Sequence, residues 1–235
     1  MFSYSVRHLQ KTKFLHWSIV REFSKMTPAK EITIPIHNGH ISGKVWNEGA
    51  PTVVLGLHGW LDNAGTWDTL APLLPKSLSL VAVDFPGHGL SSHLPKGANS
   101  TFVDMVMIVE RIVQHFEWKE VNLLGHSMGG GVSMLYAGTF PEKVKKIVMI
   151  DLIKPMSYPI DMQPDRTRES IEQTFKIENR LNNSPPSYDY ATMVEKMVKS
   201  YGHSVTEESA KAILKRGSQK MRMEHIHSTM TPTEN

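Results

Sequence analysis

The 235-residue sequence contains no cysteine. Disulfides, thiolate zinc sites and a cysteine nucleophile are therefore excluded for this chain, and the absence fits an intracellular protein. No apolar run approaches the roughly 18 residues that a membrane-spanning helix requires. Apolar residues make up 40% of the chain and charged residues 21%, so the composition is that of a globular protein with a packed core.

The excess of positive charge comes from the N-terminus. The whole chain carries +3, yet residues 1–30 alone hold six basic side chains and one acidic side chain. The remaining residues are slightly acidic, which argues against a nucleic-acid-binding surface. The basic extension over residues 1–30 is typical of a mitochondrial transit peptide, and its alternative is a basic tail without a specific role. We therefore expect an intracellular protein that is mitochondrial or, alternatively, cytoplasmic or peroxisomal.

Two strand-like runs open the folded part of the chain. Glu31–His37 and His40–Trp46 flank the dipeptide Asn38-Gly39. This dipeptide favours a two-residue hairpin loop in which both central residues have positive φ. The sequence therefore predicts an antiparallel hairpin centred on Asn38 and Gly39.

Strands and helices then alternate along the chain. Continuous apolar runs are typical of strands that are covered on both faces, and strands joined by helices form parallel sheets. The sequence thus predicts an α/β fold with a mostly parallel sheet and helices on both faces. The predicted strands are Thr52–Leu57, Leu78–Asp84, Val121–Leu124 and Lys146–Asp151; the predicted helices are Thr66–Leu74, Thr101–Trp118 and Met128–Phe140.

The character of the chain changes after residue 151. Prolines interrupt it, three helical patterns follow, and we expect no strands there. We therefore divide the chain into a basic N-terminal extension (1–30), a core (31–151), a helical lid (152–217) and a disordered tail (218–235). The predicted lid helices are Arg166–Leu181, Tyr190–Tyr201 and Thr206–Arg216.

The segment Gly125-His126-Ser127-Met128-Gly129 follows a predicted strand and opens a predicted helix. In this context, G-x-S-x-G is typical of a strained turn that exposes a nucleophilic serine, with small residues where the backbones pass closely. Ser127 is the predicted nucleophile, and the Met128 N–H is a predicted donor to the oxyanion. Gly125, His126 and Gly129 would support the turn. The alternative is a glycine-rich helix start with an idle serine.

A second loop could complete the oxyanion site. His58-Gly59-Trp60 ends the run TVVLGL, and a loop in this position supplies the second N–H donor in such sites, which we assign to Trp60. We interpret His58 and Gly59 as supporting residues, with His58 a structural hydrogen bonder and not a base. The loop that follows Asp84 holds His88, for which a catalytic role is the weaker interpretation.

The segments LHGWLDNAGTWD, VAVDFPGHGLSSH and LLGHSMGGG, in this order, resemble the α/β-hydrolase superfamily and within it the serine hydrolase-like proteins. The resemblance implies an α/β-hydrolase fold with a helical lid and a triad in the chain order Ser, acid, His. Ser127 matches the nucleophile. The acid and the His would follow the lid, so both stay unassigned. We expect a C-terminally truncated chain that lacks the last strands and leaves Lys146–Asp151 as an exposed sheet edge.

Few residues remain to complete the triad. Three histidines follow Ser127, namely His203, His225 and His227, and none lies after a recognisable strand. Asp151 could be the acid, although we favour a structural role for it. His225 and His227 could suggest a metal pair, but without a third ligand we expect no metal site.

Two functions remain open. The first is a serine hydrolase that cleaves small apolar carboxylic esters through an acyl-enzyme at Ser127; a serine at this position argues against epoxide or haloalkane chemistry. The alternative is a truncated, non-catalytic hydrolase-like protein. We expect no cofactor, because Gly129-Gly130-Gly131 is not followed by the Lys-Ser/Thr of a phosphate-binding loop. The oligomeric state is not predicted.

Overall fold

The computed structural model describes residues 28–95, 98, 100–152, 159–181, 187–202, 204–220 and 226–228. Almost all of the predicted transit peptide and most of the predicted tail lie outside these ranges. Helices formed by the described residues are all too short or too polar to span a lipid bilayer.

Six strands form the main sheet in the order β1-β2-β4-β3-β5-β6. The first two strands pair as an antiparallel hairpin, and β2 also runs antiparallel to β4. The strands β4, β3, β5 and β6 are parallel. The predicted mostly parallel α/β sheet is therefore confirmed. Its strands are β1 (Lys30–Ile36), β2 (Gly39–Trp46), β3 (Thr52–Leu57), β4 (Leu78–Val83), β5 (Val121–His126) and β6 (Val144–Ile150).

The hairpin loop lies one residue earlier than predicted. Ile36 pairs with Gly39, so the loop residues are His37 and Asn38. Of the Asn38-Gly39 pair, Gly39 alone has positive φ, at 126°. A side chain at Gly39 would also meet the Ser92 hydroxyl at 2.2 Å. The glycine is therefore required by its packing and its φ, although it does not sit at the centre of a primed turn.

The helices of the core flank this sheet. The helix α1 begins after Thr101, whose hydroxyl accepts from the Asp104 N–H while the Asp104 carboxylate accepts from the Thr101 N–H. The predicted helix over Thr66–Leu74 was wrong, because two short 3-10 segments, Ala64–Trp67 and Ala71–Leu73, replace it. Pro72 has no N–H and disfavours helical geometry in the residue before it, so one continuous helix cannot form. The core helices are α1 (Phe102–His115) and α2 (Met128–Thr139), and a 3-10 turn at Pro141–Lys143 follows α2.

Apolar side chains cover the sheet on both faces. The larger buried cluster joins the sheet to α1 and α2 and includes Leu55, Val109, Ile112 and Tyr136. The second cluster lies under the 3-10 segments and includes Trp46, Trp67 and Leu80. These two layers hold the carboxyl ends of β3 and β5 side by side, where the predicted site residues lie.

Three helices follow the sheet, as predicted, with ends that differ by a few residues. Apolar residues join α4 to α5, among them Met197, Ile213 and Leu214. The expectation of no strands was wrong, since β7, β9 and β8 form a small antiparallel sheet in that order. These elements are a 3-10 turn at Ile160–Met162, then α3 (Gln163–Leu181), β7 (Ser187–Tyr188), α4 (Tyr190–Ser200), α5 (Glu207–Gly217), β8 (Ser218–Lys220) and β9 (Ile226–Ser228).

The strand β6 is the last strand of the main sheet within the described ranges. Its apolar side chains are partly open to solvent, since Val148 is 56% exposed and Ile150 is 42% exposed. An apolar strand edge of this kind can pair with another chain, which makes it an aggregation liability.

A buried ion pair ties α5 to the end of β4. Arg216 is 6% exposed, and its Nε lies 2.7 Å from the Asp84 carboxylate, which is fully buried. A second guanidinium nitrogen of Arg216 lies 2.6 Å from Glu31. Asp84 also accepts hydrogen bonds from the N–H groups of Ala64 and Leu90. One carboxylate therefore joins the segments that contain Ala64 and Leu90 to the helix that carries Arg216.

We predict that Arg216→Met destabilises the fold by about 3–5 kcal/mol, because it leaves the Asp84 carboxylate buried without its cation. Urea unfolding at pH 7 measures this. The matched control is Lys211→Met, which removes an exposed pair with Glu207 one turn earlier on α5 and should cost no more than about 0.5 kcal/mol. Equal losses in the two variants would contradict the interpretation.

Candidate functional site

Ser127 lies between β5 and α2 in a strained backbone conformation. Its φ is 47° and its ψ is −115°, a region that residues with a side chain rarely adopt. The Ser127 N–H donates to the Ile150 carbonyl at 2.9 Å. The Ser127 carbonyl accepts from Gly130 at 2.8 Å, at the start of α2. The neighbouring strand and the helix thus hold the turn in its strained form.

Glycines allow the close approach that this turn requires. A Cβ at Gly125 would lie 2.4 Å from the Gly129 carbonyl oxygen. At Gly129 it would lie 2.2 Å from the carbonyl oxygen of Leu57, at the end of β3. Carbon and oxygen atoms that are not bonded to each other do not come this close. Neither position therefore accommodates a side chain without movement of the backbone.

The loop after β3 lies directly beside the turn. The Gly129 N–H donates to the His58 carbonyl at 3.1 Å. The His58 ring is fully buried, and its Nε2 accepts from the Phe85 N–H at 3.0 Å. Its Nδ1 must then carry the proton and donate to the Gly59 carbonyl, 2.7 Å away. Burial lowers the pKa of His58, and both of its ring nitrogens are in use.

The predicted oxyanion donors belong to these two segments. Met128 is the first residue of α2, so its N–H has no acceptor within the helix. Trp60 follows Gly59 in the loop, and its side chain is 53% exposed. The two segments are in contact at Gly59, because a Cβ placed on this glycine would lie 3.4 Å from the Ser127 Cβ. Trp60 and Ser127 both line a cavity of about 560 Å³.

Asp151 lies in this cavity as well. It follows β6, has a left-handed backbone with φ of 75°, and lines the cavity together with Ser127. Tyr201 and Ser204, on the segment after α4, line the same cavity. His203 and His225 lie outside the described residues, and for His227 only the backbone, in β9, is described. The site geometry therefore includes one candidate acid and none of the three candidate histidine side chains.

Sequence reasoning missed Asp62, a buried carboxylate beside the turn. Asp62 is 2% exposed, and its Oδ2 lies 3.7 Å from the Nδ1 of His126. Its other contacts are local, since it accepts from the Asn63 N–H and the Thr66 hydroxyl. The available signal was its place in LHGWLDN, three residues after Gly59, where an acidic residue in a buried loop requires a partner.

His88 packs away from the serine. Its ring centre lies 5.0 Å from that of His58 and 5.6 Å from that of Trp60. Its Nδ1 lies 3.2 Å from the Pro86 carbonyl. Burial and the neighbouring His58 lower the pKa of His88 to about 4. His88 does not line the Ser127 cavity, so the geometry gives it a packing role behind the Trp60 loop.

A mostly parallel sheet with a strained serine between one strand and the following helix is the architecture of the α/β hydrolases. Comparison with known proteins agrees, because a family model described as the alpha/beta hydrolase fold matches residues 52–176. The chain belongs to the α/β-hydrolase family, as its sequence resemblance implied.

Within this family, the chain is similar to proteins described as serine hydrolase-like. A serine hydrolase-like protein of Danio rerio is 35% identical over 201 residues, which cover 84% of this chain. The human serine hydrolase-like protein 2 is 35% identical over 195 residues, or 81% of this chain. The matched region spans 61% of each of these relatives. The crystal structure of a hypothetical protein from Pseudomonas aeruginosa superposes with a TM-score of 0.77 at 30% identity, covering 86% of this chain and 70% of that one.

We predict opposite effects for alanine at two glycines of α2. Gly129→Ala should destabilise the fold by about 1–3 kcal/mol, because the new methyl group meets the carbonyl oxygen of Leu57. Gly138→Ala should stabilise it by about 0.5–1 kcal/mol, because that position has open space and alanine favours the helix. Thermal unfolding of both variants measures this, and destabilisation of equal size at both positions would be inconsistent with the close approach.

We predict an acid-sensitive stability that depends on His88. Its folded pKa is depressed to about 4, so below pH 6.5 the unfolded chain binds the proton first and stability falls. Between pH 7 and pH 5 this one group should cost about 2 kcal/mol. His88→Gln should remove that part of the loss in urea unfolding, whereas His115→Gln, an exposed control on α1, should not. A wild-type pH dependence retained in His88→Gln would refute the assignment.

Proposed function

We propose that this chain is a serine hydrolase that cleaves small apolar carboxylic esters through an acyl-enzyme at Ser127. The supporting observation is the strained Ser127 at the start of α2, which lines the same 560 Å³ cavity as Trp60. A left-handed backbone costs a serine of order 1–3 kcal/mol. A serine with no role as a nucleophile would gain nothing that offsets this cost.

The proposed reaction begins when Ser127 Oγ attacks the carbonyl carbon of the ester. The hydroxyl proton passes to a base, and the carbonyl oxygen becomes an oxyanion that accepts from the Trp60 and Met128 N–H groups. The carbon–oxygen bond of the ester then breaks, and the alcohol leaves with a proton. Water attacks the acyl-enzyme in the same way, which releases the acid and restores the Ser127 hydroxyl.

Substrate size and polarity follow from the cavity. A volume of about 560 Å³ fits a small or medium ligand and not a polymer. Trp60, Trp67 and Ile150 supply apolar surface beside the serine. We further propose that residues 31–151 form the catalytic core and residues 152–217 the lid, and that the protein acts on a small molecule in mitochondria or, alternatively, in the cytoplasm or peroxisomes.

A non-catalytic, hydrolase-like protein is the second candidate. The observation in its favour is that no side chain in the described ranges hydrogen-bonds to the Ser127 hydroxyl, and a serine without a base is a weak nucleophile. Asp151 and the histidines at 203, 225 and 227 are the residues that could supply the missing parts of a triad. An activated Ser127 hydroxyl is expected of the serine hydrolase and not of the non-catalytic protein, so a test of its reactivity distinguishes the two candidates.

We predict a single covalent adduct when the purified chain reacts with a fluorophosphonate probe, because an activated serine displaces fluoride from phosphorus. Intact-mass spectrometry measures the adduct. Ser127→Ala should abolish it, whereas Ser204→Ala, which removes another hydroxyl from the same cavity, should retain it. Absence of the adduct on wild-type protein with a cooperative unfolding transition would favour the non-catalytic candidate.

A further inference from the structure

The proposed oxyanion loop, residues 58–62, and the turn at Ser127 approach each other at the side chains of Asp62 and His126. Asp62 ends the loop that carries Trp60, and His126 directly precedes Ser127. The Asp62 Oδ2 lies 3.7 Å from the His126 Nδ1. This separation is too long for a direct hydrogen bond but well within the range of an ion pair when the imidazole is protonated.

The geometry around His126 leaves this contact as its main polar interaction. Its Nδ1 is inaccessible to solvent and has no hydrogen-bond partner among the described residues. About one third of the side chain is exposed, and His126 lines the Ser127 cavity. A Cβ at Gly59 would lie 2.9 Å from the His126 Nδ1, which places the loop directly against the ring.

The loop itself needs an anchor at this point. Leu61, between Trp60 and Asp62, has a left-handed backbone with φ of 58°, which is uncommon for a branched apolar residue. The Asp62 N–H donates to the Gly59 carbonyl at 3.3 Å, near the upper limit for such a bond. Trp60 therefore lies at the crest of a tight, strained turn whose far end is fixed by the Asp62 side chain.

We propose that the Asp62–His126 ion pair is a positioning device that holds the Trp60 N–H in register with Ser127 when His126 is protonated. The inference rests on the proposed hydrolase function, because it gives the Trp60 N–H an oxyanion to bind. Asp62 and His126 are positioning residues in this account, since they act through the loop and not on the substrate. Loss of the proton from His126 removes the charge attraction and lets the loop move.

The surrounding charges favour the protonated form. The Asp62 carboxylate raises the pKa of His126, burial of the ring opposes it, and Asp151 on the other side of the cavity adds to the increase. His58 also faces His126, but burial lowers its pKa and keeps it neutral. Tyr201 stays neutral as well, because burial and the Asp62 charge raise its pKa. The ion pair therefore persists below the His126 pKa and is lost as the pH rises through it.

A different role for His126 would give the opposite pH dependence. If the neutral imidazole removed the Ser127 proton, its contribution would grow as the pH rises through its pKa. In the positioning role, its contribution shrinks over the same range. The sign of the pH dependence therefore separates the two roles without any knowledge of the remaining base.

The experiment is the rate of fluorophosphonate labelling between pH 5 and pH 8 for wild type, His126→Gln and Asp62→Asn, with His115→Gln as the exposed control. We expect both site variants to react roughly tenfold more slowly than wild type at pH 5, less than the 10²–10³ that follows loss of an oxyanion donor. We expect the ratio of wild-type to variant rates to approach one at pH 8. His115→Gln should follow wild type throughout.

Two outcomes would overturn the inference and leave the proposed function intact. A rate ratio that does not change with pH would reduce the pair to a packing role, and a ratio that increases with pH would make His126 a base. If the wild type is not labelled at any pH, the proposed function itself fails. Amide hydrogen exchange then tests the pair alone: His126→Gln should speed exchange of the Asp62 N–H, which donates to the Gly59 carbonyl, and unchanged exchange would overturn the positioning role.

Discussion

The close passage of α2 over the end of β3 is the constraint on which the rest of the site depends. The Gly129 N–H reaches the His58 carbonyl at 3.1 Å, and the Gly129 Cα lies too near the Leu57 carbonyl for any side chain. This contact fixes the direction in which α2 leaves the sheet, so Ser127 must turn sharply to connect β5 with the helix. The same contact places the start of the loop after β3 beside the serine, because His58 begins that loop and its carbonyl accepts from the Gly129 N–H.

A second constraint acts on the opposite side of the loop. The Asp84 carboxylate accepts from the N–H groups of Ala64 and Leu90 and from the guanidinium of Arg216, and Asp84 directly follows β4, the strand beside β3. Three separate segments thus share one buried charge. The helix α5 therefore contributes to the position of the segment after Trp60, although it lies far along the chain. The sheet and the helix α5 are in this sense one structural unit on the side of the sheet that carries the cavity.

The sequence predicted those features that depend on local pattern, and it missed those that depend on distant partners. The apolar strands, the helix α1 and the turn at Ser127 followed from apolar runs and glycines within a few residues of one another. The hairpin moved by one residue because Gly39 is required by Ser92, about fifty residues away in the chain. The Arg216–Asp84 pair joins residues 132 positions apart, which no local pattern reveals. Asp62 was missed for the same reason, because it lies in a loop and its partner His126 lies at the end of a distant strand, β5.

The edge of the sheet and the geometry of the serine are linked through one residue. The Ile150 carbonyl accepts from the Ser127 N–H, and the Ile150 side chain is 42% exposed and lines the cavity. Ile150 lies at the end of β6, the edge strand, so whatever pairs with that edge also acts on the bond that holds Ser127 in its strained form. A strand that aligned β6 more firmly would restrain the turn, whereas pairing that displaced Ile150 would release it. Protection of this edge is therefore a condition for the strained turn at Ser127 as well as for solubility.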